Sequence, residues 1–510
     1  MNLGALLITL VFLVPFTGGM LLTLLPRLGM ARGWGSIVVS TLHVGLTFWL
    51  WLVVQQQGLQ HVNFSGWKAP FGIAFAADQF STTILLISSV IVWLGIWSAH
   101  WTCSGEKQLN LLHPLLQILT AGITGSYLTT DLFNLYVWFE VMLMSSFIII
   151  ALKGGRRELP ASLRYMGLNL LGGTFFLTGA GLIYAMSGTL SMPHLAIRLP
   201  EADPNLAAAA SALLLAAFGI KAAVFPLFTW MPSTYRVLPP ALAALMAGTL
   251  TKVGVCVIYR MFTGPLAVTR DALAPWIMAA AVGSMLLGGI VAYAQKDFRR
   301  ILTFHIISQV GYMLAGIAIG TPIALAGGLF MTMHNMIAKT SLFYLAGMAE
   351  SDFGTGGLKA MGGLRVAQPL TTGIFLASAL ALAGLPPFSG FWAKLSLLQG
   401  ALGSFDWVVI TFALCTSLVT LMSMMKIWHE AYAKAGPAPS QISEKKGFLA
   451  PALALGLVAS LTFLAVEPIQ QLCLRMARDL TDPLPMRSIL AQEAQDEALT
   501  IKPRNAEGEP

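Results

Sequence analysis

The sequence predicts an all-α polytopic membrane protein of about fourteen transmembrane helices, and three observations carry that reading. Of 510 residues, 56% are hydrophobic and only 10% charged, whereas about 25% charge is ordinary for a soluble domain. Mean hydropathy is +0.75 over 54.6 kDa, so apolar runs must recur along nearly the whole length, and a run of about 20 residues crosses a bilayer core. Charged or Gly/Pro-rich joints interrupt those runs at regular intervals.

The runs lie near 3–25, 34–55, 78–99, 110–129, 132–152, 162–187, 206–231, 239–262, 272–294, 301–319, 322–349, 369–400, 404–427 and 448–468. The first lacks a basic start, exceeds a signal-peptide core and is followed by another span, so it reads as a transmembrane helix. Cytoplasmic loops hold the Lys and Arg excess, which tests the count. With the N-terminus outside, seventeen basic residues fall in cytoplasmic loops against four opposite, Lys68, Arg198, Arg260 and Arg270. The net charge of +8 and pI near 9.3 therefore express membrane topology rather than nucleic-acid binding. Beyond about Gln470 an interfacial stretch with Arg475, Arg478 and Arg487 leads into an acidic, disordered tail. Cys103, Cys256, Cys415 and Cys473 stand singly, so neither a disulfide framework nor a zinc or iron–sulfur site is expected.

Four lysines remain inside apolar runs, Lys221, Lys252, Lys339 and Lys394, together with Glu140 in LFNLYVWFEVMLMSSF. An ionisable side chain at the bilayer centre costs about 2.5–3.5 kcal/mol on the insertion scale. A chain with no use for such groups would carry leucine. Burial presses a lysine towards its neutral form, and an opposite charge nearby restores the ammonium; a lysine held between the two influences exchanges a proton when its partner moves. Lys339 lies close enough to the polar Glu350–Asp352 joint for snorkelling, or simple helix pairing, to be an alternative. His305 in ILTFHIISQVG and His334 in MTMHNMIAKTSLF read either as packing residues or as members of a relay. Asp78, Asp131 and Asp297 stand at helix ends, where capping is the expected role.

Helix breaks give the second signal. In FGIKAAVFPLFTWMP, Lys221 precedes Pro226, and in LAGLPPFSGFWAKL, Lys394 follows Gly384, Pro386, Pro387 and Gly390. Proline removes a backbone donor, and an interrupted helix at membrane depth is tolerated only in the protein interior or beside water. Two interrupted helices, each with a lysine, in separate halves of the chain fit a transporter built from repeats. No GxSxG, Walker loop, HExxH or haem-type histidine pair occurs, so neither covalent chemistry nor a cofactor is expected. The glycines from Gly354 to Gly357 read as a loop, and the cargo should be small and charged.

The segments DLFNLYVWFEVMLMSS, FGIKAAVFPLFTWMP, KDFRRILTFHIISQVGYM, HNMIAKTSLF and GLPPFSGFWAKL together resemble the antiporter-like family shared by Mrp-type multisubunit sodium/proton antiporters and the large membrane subunits of respiratory complex I and related hydrogenases. The resemblance spans about residues 70–430. It implies two inverted five-helix repeats, 106–265 and 266–430, with interrupted seventh and twelfth helices, after N-terminal helices in 1–105 and before a last helix in 431–470 and the tail 471–510. By position Glu140 resembles the fifth-helix glutamate, Lys221 the seventh-helix lysine, Lys252 the connecting lysine of the eighth, His334 and Lys339 the polar positions of the eleventh, and Lys394 the twelfth-helix lysine. Some complex I relatives carry glutamate where Lys394 stands.

The resulting expectation is a proton path through Glu140, Lys221, Lys252, His334, Lys339 and Lys394, opened and closed by a Glu140–Lys221 ion pair. The implied setting is a bacterial plasma membrane, with protons and sodium as cargo and other large and small membrane subunits as partners. The main alternative is a proton-pumping subunit of a complex I-like or hydrogenase assembly. A passive scaffold and an exporter of organic cations are further readings, the last disfavoured because it calls for buried acids rather than buried lysines.

Overall fold

In a computed structural model the described residues are 3–24, 29–64, 67, 72–103, 106–436 and 446–482. The helices run in chain order as α1 (Leu3–Leu24), α2 (Gly29–Gln57), α3 (Gln79–Thr102), α4 (Glu106–Leu128), α5 (Leu132–Ala151), α6 (Glu158–Ser187), α7 (Met192–Arg198), α8 (Pro204–Ala222), α9 (Trp230–Val237) and α10 (Pro240–Thr263). They continue as α11 (Ala267–Ala294), α12 (Phe298–Ile319), α13 (Pro322–Phe353), α14 (Leu364–Ala367), α15 (Pro369–Ala383), α16 (Ser389–Gly403), α17 (Trp407–Ile427), α18 (Lys446–Leu461) and α19 (Val466–Thr481).

Among the described residues ten helices are long and apolar enough to cross a membrane, or eleven if the bent pair α18–α19 is one span. The expected spans outside that set have physical reasons. Polar side chains such as His113 and Gln117 dilute α4, and His334, Asn335 and Lys339 dilute α13. The expected helix 369–400 is instead two 15-residue pieces, α15 and α16. The expected helix 206–231 is among the ten as α8, but it stops at Ala222 and the chain becomes helical again only at Trp230. The expected helix 448–468 ends at Leu461; beyond it α19 turns away by 89°. That amphipathic helix seats Cys473, Met476, Ala477 and Leu480 inward, where an interfacial stretch was expected. The expected disordered tail lies outside the described residues.

Among the described residues one element departs from an all-helical reading. Gln60–Asn63 and Ala74–Ala77 pair as a two-stranded antiparallel hairpin, and Thr130 donates its backbone N–H to Ala74 O at 3.0 Å. At this end of the bundle Arg260 pairs with Asp78 at 2.8 Å, and Asp78 also caps α3 by accepting from Ser81 N. At the opposite end lies a hollow of about 670 Å³ lined by Arg156, Arg157, Arg164, Arg236 and Arg299 together with Glu158, Asp297 and Glu350. This is the basic end that the loop charges predict. Arg299 ties it together, donating to Glu350 at 2.6 Å and to Leu238 O at 2.7 Å.

The other two acids also cap. Asp131 accepts from Asn134 N at 2.7 Å before α5, and Asp297 accepts from Arg300 N at 3.0 Å before α12. Both caps share one backbone conformation, φ −121°, ψ 133° and φ −120°, ψ 133°. Yet one stands at the hairpin end and the other at the basic hollow.

The core pairs α11 with α12 by close backbone approach, as small residues allow in a membrane. A Cβ at Gly288 would fall on the Ser308 backbone, and one at Gly311 on the Ala281 carbonyl. Gly181 on α6 is exposed with open space before it. Gly288→Leu should therefore lower the melting temperature of the detergent-solubilised protein by several degrees, overpacking costing about 1–3 kcal/mol, whereas Gly181→Leu should leave it unchanged.

Candidate functional site

The two helix breaks shape the site. α8 ends where Ala223 adopts φ 56°, a left-handed conformation that a non-glycine residue takes only when its surroundings impose it. Its last carbonyls find donors at hand: Trp230 Nε1 donates to Ile220 O at 2.8 Å, and Val224 N to Gly219 O at 3.0 Å. Lys221 occupies this final turn, where the helix dipole favours a cation. Its Nζ donates to Phe139 O of α5 at 3.5 Å and lies 5.5 Å from the Phe139 ring centroid.

α15 ends at Ala383, and Gly384 carries φ 86°. Lys394 reaches back from α16 to the carbonyls that this end leaves free. Its Nζ donates to Ala383 O at 2.8 Å, to Leu382 O at 3.4 Å and to Ser417 Oγ at 3.0 Å. The Tyr312 ring centroid stands 5.0 Å from the same amine. Both breaks contain a cis peptide, Phe225–Pro226 and Pro386–Pro387. Each break sets an ammonium at the carbonyl end of a half-helix, Lys221 from within that half and Lys394 by folding back onto it.

Between them stand the other two lysines. Lys252 Nζ donates to Ala247 O at 2.7 Å, and Lys339 Nζ to Leu302 O of α12 at 3.3 Å. Lys339 is 0% exposed and points inward, so the snorkelling alternative fails. His334 Nδ1 hydrogen-bonds Ser389 Oγ at 2.8 Å, joining α13 to α16. His305 Nε2 hydrogen-bonds Ser423 Oγ of α17.

Glu140 is half-buried, with Oε1 against Gly173 of α6. It interacts electrostatically with Lys221, but no carboxylate–amine contact within 4.0 Å joins the two among the ion pairs of the described residues. The expected pair is therefore open here, because the amine is turned to the Phe139 carbonyl, one residue before Glu140.

Uncharged polar residues complete the surroundings, and apart from His334 the sequence reading passed over them. Gln309 Oε1 and Nε2, Asn335 Oδ1, Thr251 Oγ1 and His334 Nε2 are buried without a protein partner. Each unpartnered polar group costs about 1–3 kcal/mol, a cost that water normally offsets. Their signal was present as polar residues within apolar runs. Among the described residues no group of three or more His, Cys, Asp or Glu converges as a metal site.

The family described as "NADH:quinone oxidoreductase/Mrp antiporter, TM" matches residues 129–420, more than half of the chain. The chain belongs to this family. Within the NADH:quinone oxidoreductase/Mrp antiporter family it is 37% identical over 482 residues to the D-type subunit of the Na(+)/H(+) antiporter of Alkalihalophilus pseudofirmus, covering 94% of this chain and 97% of that one. A chain of the Mrp complex from Dietzia superposes with a TM-score of 0.88 at 29% identity, covering 96% of this chain and all of that one. A chain of respiratory complex I from Thermus thermophilus superposes with a TM-score of 0.79 at 24% identity, a likeness of fold alone. The curated relative is named as a transporter subunit rather than an enzyme.

The glycine at the second break is testable. A Cβ on Gly384 would press on the Lys394 side chain and sit on a left-handed backbone, whereas Gly373, on the same α15, has nothing within 4 Å. Gly384→Ala should destabilise by about 1–2 kcal/mol, while Gly373→Ala should be neutral or stabilising by up to about 1 kcal/mol. Thermal melting of the purified protein distinguishes the two.

Proposed function

We propose that this chain is the proton-translocating subunit of an Mrp-type sodium/proton antiporter, corresponding to the D-type subunit for which its relative is named. The observation that carries this reading is the set of four lysines, Lys221, Lys252, Lys339 and Lys394, 7%, 1%, 0% and 5% exposed, each bound to a backbone carbonyl rather than to a carboxylate. Carbonyl oxygens accept a hydrogen bond from an amine in either protonation state. A lysine so placed can release and regain a proton without losing its seat, which a tight carboxylate pair would resist.

Glu140 supplies the switch. A swing of the Lys221 amine from the Phe139 carbonyl to the Glu140 carboxylate closes the pair and holds the proton; the reverse swing removes the counter-charge and sends the proton on. Lys252, Lys339, His334 and Lys394 continue the path, with Gln309, Asn335 and Thr251 holding water between them. The matching caps at Asp131 and Asp297 and the matching breaks support two inverted repeats, 106–265 and 266–430. The basic end faces the cytoplasm of a bacterial plasma membrane. The membrane field supplies about 2.3 kcal/mol per charge per 100 mV, and sodium movement in the assembled complex is coupled to the proton step.

In inverted vesicles containing the whole complex, Lys221→Ala and Lys252→Ala should each lower sodium-driven proton exchange by about a hundredfold, as loss of a proton relay does, at wild-type assembly. Retained exchange in both would overturn the assignment. Lys339→Arg should also lose exchange, because the larger guanidinium must fit a fully buried seat.

A further inference from the structure

The proton path leaves unused a second buried polar set, on α2, α3 and α4. Along α4, His113, Gln117, Thr120, Thr124 and Tyr127 recur at helical spacing, all at most 3% exposed. They cover about 21 Å at 1.5 Å per residue, most of a hydrocarbon core of about 30 Å. α2 presents a matching face of Ser36, Ser40, His43 and Thr47, each at most 1% exposed. The faces meet: Gln117 Nε2 donates to Ser36 O at 2.8 Å and to Ser36 Oγ at 2.9 Å, and His43 Nε2 lies 3.5 Å from Thr124 Oγ1.

At the basic end of this seam His100 of α3 lies beside His113, ring centroids 5.8 Å apart. Gly33 makes room for both, since a Cβ there would strike the His100 ring. All four ring nitrogens are buried without a protein partner. Arg32 of α2 stands at the same end, donating to Asn110 O at 2.7 Å.

Polar residues that merely glue membrane helices together bond to one another. Here Gln117 and Ser36 do, but His100 and His113 do not. At the far end Tyr127 faces Ser88 and Cys256, and Cys256 stands one turn along α10 from Lys252.

We propose that the α2–α4 seam is a hydrated proton inlet, running from the His100–His113 pair at the basic end past His43 and Thr124 to Tyr127 and on to Lys252. It rests on the proton-path reading above and gives that path an opening between α2 and α3, which precede the first repeat, and α4, the first helix of that repeat. A proton taken up by one imidazole nitrogen is balanced by release from the other, so each histidine returns to its starting charge after passing one proton.

The test uses the whole complex in inverted vesicles, whose outer face is the cytoplasmic one. His100→Ala/His113→Ala should assemble normally and slow exchange about a hundredfold, and added imidazole, a diffusible base able to occupy the space, should restore it. Thr124→Val, which removes a hydroxyl at nearly constant volume, should slow exchange severalfold without changing the melting temperature. Wild-type exchange in both variants, with Lys252→Ala inactive, would overturn the inlet and leave the path standing; slowing that imidazole fails to relieve would also overturn it. An active Lys252→Ala would overturn the path itself, and the inlet with it.

Discussion

An ammonium group in oil needs oxygen atoms around it, and in this protein the backbone supplies them. Charge placed at the centre of a membrane helix costs about 2.5–3.5 kcal/mol, and a hydrogen bond to a charged group returns about 1.5–3 kcal/mol. One or two well-placed carbonyls therefore bring a buried lysine close to break-even. A continuous helix spends its carbonyls internally, so spare ones occur where helices stop. The break after Ala383 provides them for Lys394, which reaches back to Leu382 O and Ala383 O. The other three lysines share carbonyls within helices instead, Phe139 O of α5, Ala247 O of α10 and Leu302 O of α12.

The contrast with a salt-bridged interior is instructive. The close ion pairs of the described residues lie at the ends of the bundle, such as Arg260–Asp78 and Arg299–Glu350, where they fasten helices. The four buried lysines have no such partner in this state. Fixed pairs hold structure, and loosely solvated amines remain free to change charge. Glu140 stands between the two kinds, near Lys221 without being bound to it.

Much of this was legible in the sequence because membrane physics leaves few choices. Apolar length located the spans, the arginines of the basic hollow followed the loop charges, and lysines beside Pro226 and Pro386 pointed to interrupted helices. What was not legible depended on distances between helices. Whether Lys339 turned outward or inward, and whether Lys221 bound Glu140 or the Phe139 carbonyl, could not follow from one-dimensional spacing. His43, His100 and His113 escaped notice for another reason: a lone histidine in each run carries no weight until α2, α3 and α4 are seen to converge.

The central claim is that the buried amines belong to one hydrated line rather than to separate dry pockets. A cryo-electron microscopy map of the assembled complex, sharp enough to place water, tests this most directly. The account predicts water within hydrogen-bonding distance of Lys252, Lys339, His334, Gln309 and Lys394, joining them without an apolar gap in at least one state along the exchange cycle. Dry apolar barriers between these side chains in every state would contradict it.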